Sequence, residues 1–272
     1  MNATLLCAFA VTRDPGSSAD LGGTPGHDGG GPLRVLAAGE LSLLVQDVPA
    51  SAFDETALAE RLERRDELER VARAHHRAVE VAARWGPVVP LPLATLYRTE
   101  AAAARAVTGR ATELSALLDR LRDRREWAVK IHARETGGTR EAGAVSVPRD
   151  DGAGRAAAGR AYLSRASARR RTRSEARERA LAEAGAVDRE LRRYAVAATR
   201  HRPQSEQLTG TAAPQLLNVA YLVAEAERAA FTGALERLTA EGRRRGVEVV
   251  ASGPWVPYSF ARLDEERREA TV

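Results

Sequence analysis

The apolar positions of this chain switch between three patterns, and the switches mark its elements. Thr4 to Val11 is a short continuous apolar run, the mark of a buried strand. Asp14 to Pro32 is rich in Gly, Ser, Asp and Pro and reads as a flexible loop with no core-forming pattern. Leu33 to Ala38 and Leu41 to Val48 flank Ala38-Gly39-Glu40 and predict a hairpin. A long helix is expected from Glu55 to Arg84, capped by Ser51 or Asp54. Leu68, Val71, His75, Ala78, Val79 and Ala82 form one helical stripe, while Leu58 and Leu62 fall on another face, so this helix should bend or pack on two surfaces. Trp85-Gly86-Pro87 stops it. Val88 to Tyr97 is apolar but interrupted by Pro90 and Pro92, which predicts an edge or bulged strand. A second helix, Glu100 to Arg122, aligns Val107, Leu114, Leu117, Leu118 and Leu121.

A second unit begins at Arg125. Trp127, Val129 and Ile131 alternate with Ala128, Lys130 and His132, a half-buried strand. A Gly-rich loop, Gly137 to Gly159, precedes a long Ala/Arg helix reaching Thr199, with Val187, Leu191 and Tyr194 as its apolar face. His201-Arg202-Pro203 ends it. Strands at Gln204–Thr209 and Gln215–Ala224, a helix at Glu225–Arg245 anchored by Phe231, Leu235 and Leu238, and a strand at Val247–Ser252 complete the series. That order is βαββαβ, the split arrangement of a ferredoxin-like domain. The expected fold is α+β with two domains. Residues 1–123 hold a strand, a hairpin, two helices and the Pro-broken strand, residues 124–260 are ferredoxin-like with the long Ala/Arg-rich helix, and residues 261–272 are a charged tail. No internal repeat is evident.

Composition narrows the function. The hydrophobic fraction, 44%, permits packed cores in both domains. The net charge of +5 is carried almost wholly by arginine, Lys130 being the one lysine. That bias follows a GC-rich genome, so charge alone does not argue for nucleic acid. The run Arg165 to Arg179 lacks interleaved aromatics for base stacking and reads first as a solvated helix face, second as a protein-docking face. Cys7 is the one cysteine, which excludes an internal disulfide and fits a reducing, intracellular setting. No apolar segment approaches the length of a membrane span.

Candidate chemistry is sparse. His76 and Glu80 lie one helical turn apart, but a metal site needs further ligands and no second pair has comparable spacing. His75 sits mid-stripe and reads as a core histidine bonded to a carbonyl or carboxylate. Cys7 lies in an apolar run where thiols are inert. Lys130 takes the polar side of its strand. The expected sets of catalytic, metal-binding and cofactor-binding residues are therefore empty. The one unusual segment is Gly253-Pro254-Trp255-Val256-Pro257-Tyr258-Ser259-Phe260, with three aromatics within six residues in a chain that is only 4% aromatic. Prolines stiffen it as an extended edge, and Trp and Tyr pack their rings while keeping polar tips wet.

Four motifs in order carry a family resemblance. They are Ala74-His75 leading to Val88-Val89-Pro90-Leu91, Glu126-Trp127-Ala128-Val129-Lys130, Leu217-Asn218-Val219-Ala220-Tyr221-Leu222-Val223, and the Gly253–Phe260 segment. Together they resemble the gas vesicle protein GvpL/GvpF family. Departures are Pro92, Leu93 and Ala94 in place of the usual Arg-Phe-Gly, Val256 in place of proline and Ser252 in place of threonine. The resemblance implies a non-enzymatic accessory or minor structural protein of gas vesicle formation, in the cytoplasm and at the vesicle. Its implied partners are the hydrophobic shell protein and other vesicle accessory proteins, with no cofactor and no nucleic acid. The expected contact residues are Trp255, Tyr258 and Phe260, with a second edge at Pro90 and Pro92. The other reading is a ferredoxin-like module for a small ligand or for regulation, which a pocket lined by His75, Trp127 and Tyr221 would favour.

Overall fold

The computed structural model describes residues 3–13, 21, 23–134, 152–202 and 213–262. The chain divides into two compact units, residues 1–126 with 253–272, and residues 127–252. The segment from Gly253 thus packs with the first unit, whereas the expected boundary kept it in a 124–260 domain. The reason lies in side chains from this segment that enter the first core, notably Val256.

The first unit is built on a sheet of β1 (Thr4–Arg13), β2 (Arg34–Ala38), β3 (Leu41–Pro49) and β4 (Val88–Tyr97), in the order β2-β3-β1-β4. Each paired strand is antiparallel to its neighbour. β1 lies inside, flanked on both edges, and every residue from Leu6 to Thr12 is buried, which is why it reads as an unbroken apolar run. Against the sheet pack α1 (Ala50–Phe53), α2 (Glu55–Glu63), α3 (Arg65–Ala82), α4 (Glu100–Thr108) and α5 (Ala111–Leu121). The single helix expected over 55–84 is two, because Arg64 takes an extended conformation between α2 and α3. That break separates the Leu58 and Leu62 face from the Val71–Ala82 stripe. Leu68, placed in the stripe by spacing, is 40% exposed. Likewise α4 and α5 divide the second expected helix near Gly109 and Arg110.

Residues 23–32, within the stretch expected to be a flexible loop, are tied to β3. Gln46, on β3 and only 1% exposed, accepts from the His27 backbone N–H and donates to the His27 and Gly31 carbonyls. A Cβ on Gly30 would come within 2.5 Å of that amide and 2.9 Å of the Asp47 carbonyl, so the loop closes on β3 only without side chains there.

The prolines of β4 act as expected of a bulged edge. Ala8 of β1 pairs with Thr95, but Ala10 pairs with Pro90, so Leu91 to Ala94 leave the ladder opposite Phe9 alone. Ala94 takes φ 65°, a left-handed conformation that suits the glycine which the resemblance expects at this position. Ala94→Gly should therefore stabilise the first unit by about 1 kcal/mol. A urea midpoint that falls in this variant would show that the turn is not strained at Ala94.

In the second unit, β5 (Arg124–Ala133), β6 (Ala197–Arg200), β7 (Gln215–Ala224) and β8 (Val247–Trp255) form a sheet ordered β6-β7-β5-β8. α6 (Gly152–Leu191) and α7 (Arg228–Arg244) supply its helical layer. Ala180, Ala184, Val187 and Leu191 place the last turns of α6 in the core with Val129, Ile131, Val219, Tyr221 and Phe231. The end of β5 meets the starts of β7 and β8 through the Ala133 N–H to Pro214 carbonyl and Arg134 N–H to Gly246 carbonyl bonds. Antiparallel neighbours meet in this way.

The long helix was expected to reach Thr199. It ends at Leu191, and Ala197–Arg200 becomes a strand paired with Val219–Leu222 of β7. Ala197-Ala198-Thr199 has no helix breaker, so pairing to β7 overrides local propensity there. The expected strand at 204–209 lies outside the described residues, as do most of the loop expected at 137–159 and the tail from 263. Among the described residues, no helix is long and apolar enough to cross a membrane.

Candidate functional site

The groove of the first unit grows from the two prolines. Because Leu91 to Ala94 leave the β1 ladder, Leu91, Pro92 and Leu93 form one wall of a half-open groove of about 490 Å³. α3 contributes Ala72, His75 and His76. Ala106, Val107, Arg110 and Leu114 come from α4, α5 and the turn between them, and Tyr258, Ala261 and Arg262 from the C-terminal segment. The lining is mostly apolar, with basic groups at its margin.

The C-terminal segment is fixed in place by polar side chains. Glu126, buried at the end of the first unit, accepts from the Ser259 backbone N–H at 2.8 Å and from the Ser259 hydroxyl at 2.7 Å. Arg120 donates to the Phe260 carbonyl at 2.6 Å. The Tyr258 hydroxyl is hydrogen-bonded to His76 Nδ1 at 3.1 Å, and Trp255 stands edge-on to the His76 ring, 5.5 Å between centroids. Burial, with the Glu80 and Glu126 carboxylates nearby, pushes the Tyr258 pKa upward, so its hydroxyl stays protonated.

The expected contact residues separate into two groups. Pro90, Pro92 and Tyr258 line the groove, and Trp255, 38% exposed, stands beside Tyr258 at the His76 ring. Two stretches far apart in sequence thus meet at one site. Phe260 does not belong with them. Its side chain is buried, so it anchors the segment and offers no outward face. Nothing in the sequence pattern marked Glu126, Arg110, Leu114 or Arg262 as part of this site. Glu126 did lie in one of the four motifs, and a carboxylate among the basic and apolar residues of that strand is the one signal that was there to follow.

His76 and Glu80 do stand side by side, at 3.3 Å, as their spacing predicts. Among the described residues no group of three or more metal-capable side chains forms. His75 is in the core, as the stripe implies, with the Leu91 backbone beside it as the expected backbone partner, although neither ring nitrogen reaches well-formed hydrogen-bond geometry. Burial lowers its pKa to about 4, with His76 adding to the effect and the Leu91 backbone opposing it. Cys7 is buried, and burial pushes its thiol up to about 12, the inert state expected.

The three residues grouped by the small-ligand reading fall in different units. His75 belongs to the first unit, while Trp127 and Tyr221 belong to the second, where both rings pack against Phe231. The Tyr221 hydroxyl donates to Asp188 at 2.7 Å, and Asp188 also receives Arg192 at 3.0 Å and Arg200 at 2.6 Å. Two quoted motifs therefore serve the core and its internal polar cluster.

Two α+β units, with an apolar groove in the first and no assembled reactive cluster among the described residues, define the class of protein. Residues 6–262 match the family described as gas vesicle synthesis protein GvpL/GvpF. The chain is 38% identical over 240 residues to gas vesicle protein L of Streptomyces sp. (strain CB03234), covering 88% of this chain and 86% of that one. Its fold is similar to the crystal structure of GvpF from Anabaena sp. PCC7120, with TM-score 0.61 and 17% identity over 96% of this chain and 97% of that one. The GvpF structure from Microcystis aeruginosa gives the same TM-score and identity over 95% and 99%. The chain belongs to the GvpL/GvpF family, and its role lies in gas vesicle formation.

Proposed function

We propose that this protein is a non-enzymatic assembly factor that binds the hydrophobic shell subunit of the gas vesicle and assists nucleation or growth of the shell. A subunit with exposed apolar surface aggregates unless a partner covers it before assembly. The observation that carries this reading is the meeting of Pro92, Tyr258 and the neighbouring Trp255 around one apolar groove. Strand addition at β4 is less suited to the task than side-chain docking, because Pro90 and Pro92 carry no N–H to donate. The exposed arginines of α6 keep such a complex soluble and offer a surface to other vesicle proteins. The protein acts in the cytoplasm and at the vesicle, without a cofactor.

The βαββαβ order of residues 127–252, with strands in the order β6-β7-β5-β8, supports a ferredoxin-like reading of the second unit. In this scheme that unit is a structural partner of the groove-bearing one, not a ligand site.

Co-purification with the cognate shell subunit, co-expressed to keep it soluble, tests the proposal. Retention should survive moderate salt, since the contact is mainly apolar. Trp255→Ala combined with Leu93→Glu should reduce retention at least tenfold in a chain with an unchanged melting temperature. Undiminished retention would remove the groove from the reading, and no retention by the parent chain would remove the shell subunit.

A further inference from the structure

The groove's charge and its buried histidine describe what it receives. Arg110 and Arg262 line it together with His76, and among the described residues no aspartate or glutamate does. Arg262 is exposed and has no ion pair with any described residue. Arg110 holds only Glu113, at 3.3 Å, with both side chains substantially open to water. His76 already faces Glu80 and Tyr258, which leaves the two arginines as the available cationic groups. Deeper in, His75 is only 4% exposed, yet neither ring nitrogen makes a well-formed hydrogen bond, the Leu91 backbone lying beside it. A buried polar group without a well-formed hydrogen bond is costly, so one that lines a groove points to a ligand that completes it.

We propose that the groove binds an aliphatic peptide segment of a partner protein that carries one carboxylate, its apolar side chains filling the space between Leu91–Leu93 and Leu114, its carboxylate meeting Arg110 and Arg262, and a polar backbone group reaching His75. This rests on the reading of the groove as the docking site for a hydrophobic vesicle subunit and adds the chemistry that selects the segment. A half-open groove of this volume takes about three aliphatic side chains and leaves the segment free to continue at both ends. The arginine pair supplies the direction and the specificity, since charge complementarity discriminates between partners more than it adds affinity. His75 is neutral at pH 7, burial holding its pKa near 4, so it offers one donor and one acceptor to the segment's backbone.

The test uses two capped synthetic peptides, each with two leucine pairs around a central residue, glutamate in one and glutamine in the other, titrated calorimetrically into the full chain. The glutamate peptide should bind at least tenfold more tightly. Arg110→Met with Arg262→Met should bring the two peptides to equal affinity without a change in melting temperature. His75→Phe should weaken both peptides severalfold. Equal affinity for the parent chain, no binding of either peptide, or preferential binding of dodecanoate over both peptides would each overturn the proposal. The shell-subunit co-purification on the same preparation separates the two ideas. Retention with indifferent peptides leaves the assembly reading and removes this one. Selective peptide binding without retention does the reverse.

Discussion

Acidification from pH 7 to pH 5 is expected to destabilise the first unit by about 4 kcal/mol, through two imidazoles that are buried neutral. His27 and His75 both pack against Phe9, with ring centroids 5.2 and 5.5 Å from it, and none of their four nitrogens makes a well-formed hydrogen bond. Both have pKa values lowered from 6.5 to about 4. For His27 burial is the main cause, His75, Arg61 and Arg77 add to it, and Asp28 opposes it. The unfolded chain takes up a proton at each ring near pH 6.5, while the folded chain resists until about pH 4. Stability is therefore full above pH 6.5, falls across the interval, and has lost about 3 kcal/mol per histidine below pH 4. Urea unfolding at pH 7, 6 and 5 measures this, read by a probe in the first unit. His75→Phe should remove about half of the pH dependence and cost little at pH 7, because a polar ring without a well-formed hydrogen bond gives way to an apolar one of similar shape. A difference below 1 kcal/mol between pH 7 and pH 5 in the parent chain would mean that the two rings do not sit neutral and dry as the structure has them.

The second large effect belongs to the other unit. Asp188→Ala should cost it about 3 kcal/mol, since a buried charge-assisted network loses its centre. Asp188 is 1% exposed and gathers Tyr221, Arg192 and Arg200. Burial alone would raise its pKa, but Arg200, Tyr221 and Arg192 outweigh burial and hold it below the usual carboxylate range. It accordingly stays charged at pH 5, and its share of stability is lost only as the pH falls below that range. The arginine side chains are 40% and 59% exposed and can return to water when the carboxylate is gone. Tyr221 cannot, because its hydroxyl would be left buried with no acceptor. Most of the loss should therefore come from Tyr221, and adding Tyr221→Phe to Asp188→Ala should recover about 1 kcal/mol or more. A cost under 1 kcal/mol for the single variant, or no recovery in the double one, would locate the stability of this unit elsewhere.

Both predictions turn on residues whose partners lie on distant elements. His75 was legible as a core residue from its place between Val71 and Val79, because helical period alone decides which face is buried. Its lack of a well-formed hydrogen bond was not legible, since that depends on Phe9 and the Leu91–Leu93 excursion, which approach from other elements. His27 fell in a stretch read as a flexible loop, and Gln46 on β3, together with the Phe9 and Phe53 rings, holds it inside. Tyr221 stood in a quoted motif, but its acceptor lies 33 residues away on α6. In the same way Trp255, Tyr258 and Pro92 were picked out for their composition, while Arg110 and Arg262 had nothing to distinguish them among so many arginines.

What the sequence determined by itself was the set of elements and the family. Runs, alternations and helical stripes are local, and they carried most strands, most helices and the four motifs that mark GvpL/GvpF. What only the tertiary structure decided was which elements share a core. It turned Ala197–Arg200 from helix to strand by pairing it with β7. It put Leu91 to Ala94 out of the ladder by setting Ala10 opposite Pro90, and it gave residues from Gly253 onward to the first unit, with Glu126 and Arg120 holding them there. The physical reason is the same each time. Local period fixes which face of an element is apolar, but the partner that covers it, and the polar groups enclosed with it, come from distant parts of the chain and are chosen by packing and hydrogen-bond satisfaction together.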